Sequence, residues 1–102
     1  MPMVLSVLEA RISPEREADL QAAYRAAADG PFPHGLVRST LLRETTDPSL
    51  WRIATLWDSP EALEAMRGTG TPRGVQIFRA AGANPSASFM EVVDALSPAG
   101  AP

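Results

Sequence analysis

The chain has no cysteine, no lysine and a single histidine, His34, among its 102 residues. Without cysteine there is no disulfide framework, no thiolate nucleophile and no iron–sulfur cluster. Without lysine there is no Schiff base and no anchor for pyridoxal phosphate; all nine basic residues are arginine. One histidine cannot supply a zinc or iron site built on two or three imidazoles. The expectation is a protein with no metal and no cofactor. A Ser-His-Asp hydrolase would have to recruit His34, and the chain has no Gly-x-Ser-x-Gly elbow. No apolar run approaches the length that spans a bilayer, and no basic segment precedes the first apolar stretch as in a secretory leader. The net charge of -3 is spread along the chain with mixed sign, which offers no patch to nucleic acid or to a membrane surface. These absences point to a cytoplasmic protein.

What is present is the material of one globular domain. Hydrophobic residues make up 45% and charged residues 21% of the chain, a balance that suits one domain burying its own core. The organising stretch runs from Leu50 to Arg67. Its first half is rich in β-branched and aromatic residues, as a strand requires. Trp51, Ile53 and Trp57 fall on one face, Leu50, Ala54 and Leu56 on the other. Ser59 then offers a cap, Pro60 suits the first helical position, and Glu61 complements the helix dipole. Residues 3 to 11 read as another strand apolar on both faces, and Ser13-Pro14-Glu15 repeats the helix-opening chemistry. Leu20, Tyr24 and Ala27 recur at helical spacing, and the helix ends near Asp29-Gly30 before Pro31 and Pro33. A second strand over 36–44 pairs through the Asp47-Pro48-Ser49 turn with a third over 50–58. A short helix over 75–81 and a last strand over 89–96 complete residues 1–96 as one domain. Residues 97–102 form a tail expected to fray.

The order strand, helix, strand, strand, helix, strand is the ferredoxin-like βαββαβ plan, an α+β fold with one antiparallel sheet and helices on one face. In that plan strands one and three are central. Both are apolar on two faces, whereas strands two and four carry Arg38, Arg43, Glu91 and Asp94. The second face of the sheet needs a cover, and the twin sheet of a homodimer is the economical one.

The run Trp57-Asp58-Ser59-Pro60-Glu61-Ala62-Leu63, the Leu41-Leu42-Arg43-Glu44 hairpin leading into Trp51-Arg52-Ile53, and the segment Ile77 to Pro85 together resemble the antibiotic biosynthesis monooxygenase family. The resemblance extends over residues 3 to 96. It implies a dimeric α/β barrel with two sheets facing one another and a pocket in each subunit between sheet and helices. Members of the family include cofactor-free oxygenases that turn polycyclic phenols into quinones, and haem-degrading enzymes. The quinone-forming branch has an asparagine at the Ile53 position and a tyrosine at the Leu63 position, flanking a tryptophan at Trp57. The haem-degrading branch has a tryptophan at the Met66 position, with a first-strand asparagine and a later histidine that this chain lacks.

The resemblance and the residues together nominate a substrate pocket of Tyr24, Ile53, Thr55, Trp57, Leu63 and Met66. His34 and Trp57 are the catalytic candidates. Trp57 suits stacking on a flat aromatic ring and equally suits anchoring helix to sheet. His34 is the one side chain whose ordinary titration falls near neutrality; it serves as a base at a pocket mouth or as a solvated loop residue. Two readings stay open: a cofactor-free oxygenase acting on a small or polycyclic aromatic phenol, and a non-catalytic ligand-binding or dimerisation module.

Overall fold

A computed structural model describes residues 2–98. Four strands, β1 (Val4–Arg11), β2 (Leu36–Arg43), β3 (Leu50–Trp57) and β4 (Ser86–Glu91), form one antiparallel sheet in the order β2-β3-β1-β4. The two strands that are apolar on both faces are therefore central, as their composition requires. Three helices, α1 (Glu17–Ala28), α2 (Pro60–Arg67) and α3 (Arg73–Ala80), pack on one face of it. None of the described helices is long and apolar enough to cross a membrane.

Register follows from side-chain parity. Val4 pairs with Trp57, Ser6 with Thr55, Leu8 with Ile53 and Ala10 with Trp51, which puts these eight residues on the helix-covered face. On the opposite face Leu5, Val7, Leu50, Ala54 and Leu56 are half-exposed and Met90 and Leu42 are exposed. That face carries no helix. A charged network there joins Arg52 to Glu9 at 2.6 Å and to Glu44 at 2.8 Å.

Three expectations are corrected. The last strand begins at Ser86 and ends at Glu91 rather than running from Phe89 to Leu96. Antiparallel pairing brings Glu91 opposite Val4, the first residue of β1. After the Val92 amide bonds to the Met3 carbonyl, β1 has no backbone left to offer, so Val93 and Leu96 stand in solvent. The third helix begins two residues earlier than expected, at Arg73. The two Ser-Pro-Glu starts also differ. Ser59 accepts a hydrogen bond from the Ala62 amide, whereas Ser13 makes no side-chain cap and leads into a 3₁₀ turn over Pro14–Arg16. The Ser13 carbonyl, not its hydroxyl, receives the Arg16 amide at 2.9 Å. Ser97 and Pro98 have no regular structure, and the rest of the expected 97–102 tail lies outside the described residues.

The core is divided. A large cluster under α1 and α3 joins Ile12, Leu20, Trp51, Ile53, Ile77, Phe78 and Ala81; a small one under α2 joins Val4, Trp57, Ala62 and Leu63. The reason lies in helix length and position. The apolar stripe of α1 and the Ile77-Phe78 pair of α3 converge on one end of the sheet, while α2 has only two turns with which to cover the other.

Candidate functional site

A cavity of about 500 Å³ opens in the seam between the two clusters. Its size falls within the range of small-molecule sites. The sheet contributes Thr55 and Trp57 from β3 and Ser39 from β2; α1 contributes Tyr24 and Ala27, α2 Met66, and α3 Ile77. The loop residues Phe32 and Pro33 close one side. The lining is mostly apolar, with hydroxyls at few points. That is the composition of a site for a flat, greasy ligand with a small number of polar anchors.

Trp57 is held in place by its edge. Its indole Nε1 donates to the Ser6 hydroxyl at 3.0 Å, a buried bond across the β1–β3 pair. A buried indole N–H costs free energy unless it is bonded, so Ser6 fixes which way the ring lies. Sequence reasoning did not single out Ser6. The available signal was a small polar residue at an inward position of a central strand, where parity puts it beside Trp57. Tyr24 meets Ser39 oxygen to oxygen at 2.8 Å, joining α1 to the edge strand β2 at the cavity wall.

The loop between α1 and β2 is pinned by Gly35. Its carbonyl accepts the Asp58 amide at 2.8 Å, and its φ of 86° lies in the left-handed region that glycine tolerates. A Cβ there would run into the Ala62 methyl. The loop can therefore lie against the start of α2 and carry Phe32 to the cavity rim.

Of the nominated residues, Tyr24, Thr55, Trp57 and Met66 line this cavity. Ile53 and Leu63 do not: at 3% and 5% exposure they belong to the large and small clusters respectively. Ile53 shares the inward face with Trp57 but lies four residues along the strand, under α1 and α3. Leu63 points from α2 into the packing beneath it. His34 is exposed and lines a neighbouring depression with Ser59, Glu61 and Ala65. That depression, at about 680 Å³ the more voluminous of the two, shares Phe32, Pro33, Met66 and Arg73 with the cavity beside Trp57.

Two arginines also reach the cavity, neither of which had been nominated. Arg38 comes from β2 just after a bulge that shifts its register against β3 between Leu36 and Arg38. In register it stands opposite Leu56, on the open face, so it meets the cavity from the sheet edge that β2 forms. Arg73 opens α3 and donates from Nη1 to the Ala27 carbonyl at 3.3 Å, near the C-terminal end of α1. Among the described residues no carboxylate lines the cavity, so the charged side chains of its lining are both cationic.

The family model described as antibiotic biosynthesis monooxygenase matches residues 3–80. Solved structures with the same fold include a candidate antibiotic biosynthesis monooxygenase from Deinococcus radiodurans, 20% identical over 95% of this chain and 99% of that one, with a TM-score of 0.70. A second candidate of that description, from Caulobacter crescentus, is 20% identical over 91% of this chain and 92% of its own, with a TM-score of 0.68. The cofactor-independent oxygenase SnoaB of Streptomyces nogalater is 20% identical over 99% of this chain and 100% of its own, with a TM-score of 0.62. No curated protein sequence matches the chain. At these identities the likeness in structure establishes the fold.

Proposed function

Since the chain belongs to the antibiotic biosynthesis monooxygenase family, we propose that it is a cofactor-independent monooxygenase acting on a small or polycyclic aromatic phenol. The observation that carries this reading is the apolar cavity in the seam of the divided core, walled by the Ser6-fixed ring of Trp57. The likeness to SnoaB, a cofactor-independent oxygenase, supports it.

The chemistry asks little of the protein beyond shape and orientation. A bound phenol ionises, and its proton leaves to solvent through the open mouth. The ring carbon para to the phenolate oxygen carries carbanion character and passes one electron to dioxygen. The resulting radical and superoxide join in a carbon–oxygen bond, giving a peroxide that takes up a proton. Loss of the proton on that carbon and cleavage of the O–O bond then release water and leave a quinone. One phenol and one dioxygen become one quinone and one water. Trp57, Met66 and Ile77 hold the ring plane, while the Tyr24–Ser39 hydroxyl pair and Thr55 orient its oxygen. His34 lies in the neighbouring depression, so the reaction is assigned no imidazole base.

One observation favours the second reading, a non-catalytic ligand-binding module. The polar groups of Trp57 and Tyr24 are already bonded within the protein, and Ile53 and Leu63 are core residues. Both readings use the same cavity. Incubation with a panel of polyphenols, followed by an oxygen electrode and quinone absorbance, separates them. Stoichiometric oxygen uptake supports the oxygenase; saturable binding without uptake supports the module.

The working form in either reading is a homodimer in which two open sheet faces meet. Leu5, Val7, Ala54, Leu56 and Met90 would form its apolar centre. A folded monomer at micromolar concentration by light scattering would refute this.

A further inference from the structure

Five of the seven arginines outside the cavity have carboxylate partners. Arg11, Arg16, Arg43, Arg52 and Arg67 each form an ion pair among the described residues. Arg25, Arg38, Arg73 and Arg79 form none there, and of these four Arg38 and Arg73 line the cavity beside Trp57. Carboxylates are not scarce, since aspartate and glutamate total 12 against nine arginines. Arg73 is half-buried, where an unpaired charge costs more than at the surface. It also sits in the first turn of α3, which has no acidic residue, and a cation there opposes the positive end of the helix dipole. The Ala27 carbonyl at the end of α1 gives Arg73 a neutral acceptor and Arg38 is solvated, but neither has a charge partner among the described residues; an anion arriving with the ligand would supply one.

We propose that Arg38 and Arg73 form an anion-recognising pair on the cavity, and that the aromatic ligand taken there carries a negatively charged substituent, a carboxylate being the simplest. The inference rests on the reading of the cavity as an aromatic site and adds the class of ligand. A planar guanidinium meets a carboxylate in paired, charge-assisted hydrogen bonds. Among the described residues the cavity lining holds no acidic side chain, and Glu61 lies in the adjoining depression. The apolar walls hold the rings while the arginines select the charge, so the pair sets specificity and takes no part in bond making.

The test compares two probes of equal shape, 2-naphthoate and 2-naphthamide, by isothermal titration calorimetry. The parent should bind naphthoate about tenfold or more tightly than naphthamide, as expected of charge-assisted hydrogen bonds to a charged partner. Raising the salt to 0.5 M should narrow that ratio. R38Q and R73Q should each reduce it, and the double variant should bring it to about one. R73K, which keeps the charge but loses the planar fork, should keep only part of the preference, and R79Q, which alters an unpaired arginine outside the cavity, should leave it unchanged. R38Q changes an exposed residue, so it reports on the pair even if R73Q unfolds. Failure of the parent to bind naphthoate, a ratio near one in the parent, or a preference that survives in the double variant overturns the proposal. A preference for naphthoate with no oxygen uptake from any phenol sinks the oxygenase reading and leaves this one standing. Oxygen uptake from neutral phenols without the preference does the reverse.

Discussion

Trp51 and Trp57 leave the same face of the same strand, six residues apart, and come to opposite uses. Trp51 is sunk in the large cluster among Ile12, Leu20 and Phe78. Its indole N–H has no partner among the described residues, and the Arg43 guanidinium lies over its ring at 5.1 Å. Trp57 lies in the small cluster, with its N–H bonded to Ser6 and part of its surface turned to the cavity. The end of the molecule that contributes most packing leaves a polar atom unmet. The end with less packing has its polar atom satisfied and its ring oriented. A tryptophan packed on all sides is held by its neighbours; one beside a cavity is held by its hydrogen bond.

The largest effect that would sharpen this contrast is truncation. Trp51→Ala should cost about 3–5 kcal/mol, because the large cluster cannot collapse into the void. Trp57 is as buried as Trp51, at 3% against 5% exposure, but its small cluster has fewer packed neighbours and adjoins the cavity, so Trp57→Ala should cost less. Equal losses by urea denaturation would show that the two ends are one core.

Replacement by phenylalanine isolates the hydrogen bond. Trp57→Phe leaves the buried Ser6 hydroxyl without its donor, a penalty of about 1–3 kcal/mol, whereas Trp51→Phe removes a donor that had no partner. Trp57→Phe should therefore be the more destabilising of the two. Adding Ser6→Ala to it should recover part of the loss in a double-mutant cycle. A Trp51→Phe background also leaves Trp57 as the one indole, whose fluorescence should be quenched by flat aromatic ligands.

The two Ser-Pro-Glu starts repeat the contrast on a smaller scale. Ser59 is fully extended, with φ of -157° and ψ of 157°, and its hydroxyl reaches the Ala62 amide at 3.2 Å. Ser13 has φ of -69° and ψ of 150°, and its hydroxyl caps nothing. Ser59→Ala should lower stability by about 1 kcal/mol, and Ser13→Ala by no more than the few tenths usual for exposed positions. Equal shifts in thermal midpoint would mean that both hydroxyls cap in solution.

The smallest effect is a response to pH at the large-core end. A hydrogen bond from Arg11, then one from the Ser49 hydroxyl, holds the Asp47 carboxyl below its ordinary value of 3.8. A depressed value means that its contribution is present above 3.8 and is lost as pH falls through the folded value. The pair is exposed, so the contribution is small and screened by salt. Thermal midpoints of the parent and Asp47→Asn should differ slightly at pH 6 and converge in acid. A gap that persists well below pH 3 would assign the effect to the turn rather than to the charge.

Reading along the chain was enough for the order of elements, the inner and outer strands and the start of α2. Each depends on local signals: two-residue alternation, a serine and proline before a helical stripe, glycine and proline at the breaks. Parity also placed Trp51, Ile53 and Trp57 on one face. What lies across from a face is a different matter, set by how helices of unequal length cover a sheet. Only the folded chain divided the core between Trp51 and Trp57 and left a cavity in the seam. It put Ile53 and Leu63 into packing and His34 into the adjoining depression. It ended β4 where β1 ran out of partners, an outcome invisible in the alternation of residues 89–96. It also brought Arg38 and Arg73, 35 positions apart, to one cavity. Periodicity fixes the direction in which a side chain leaves the backbone, but a site depends on which distant side chains share the space it enters, and that is decided by packing.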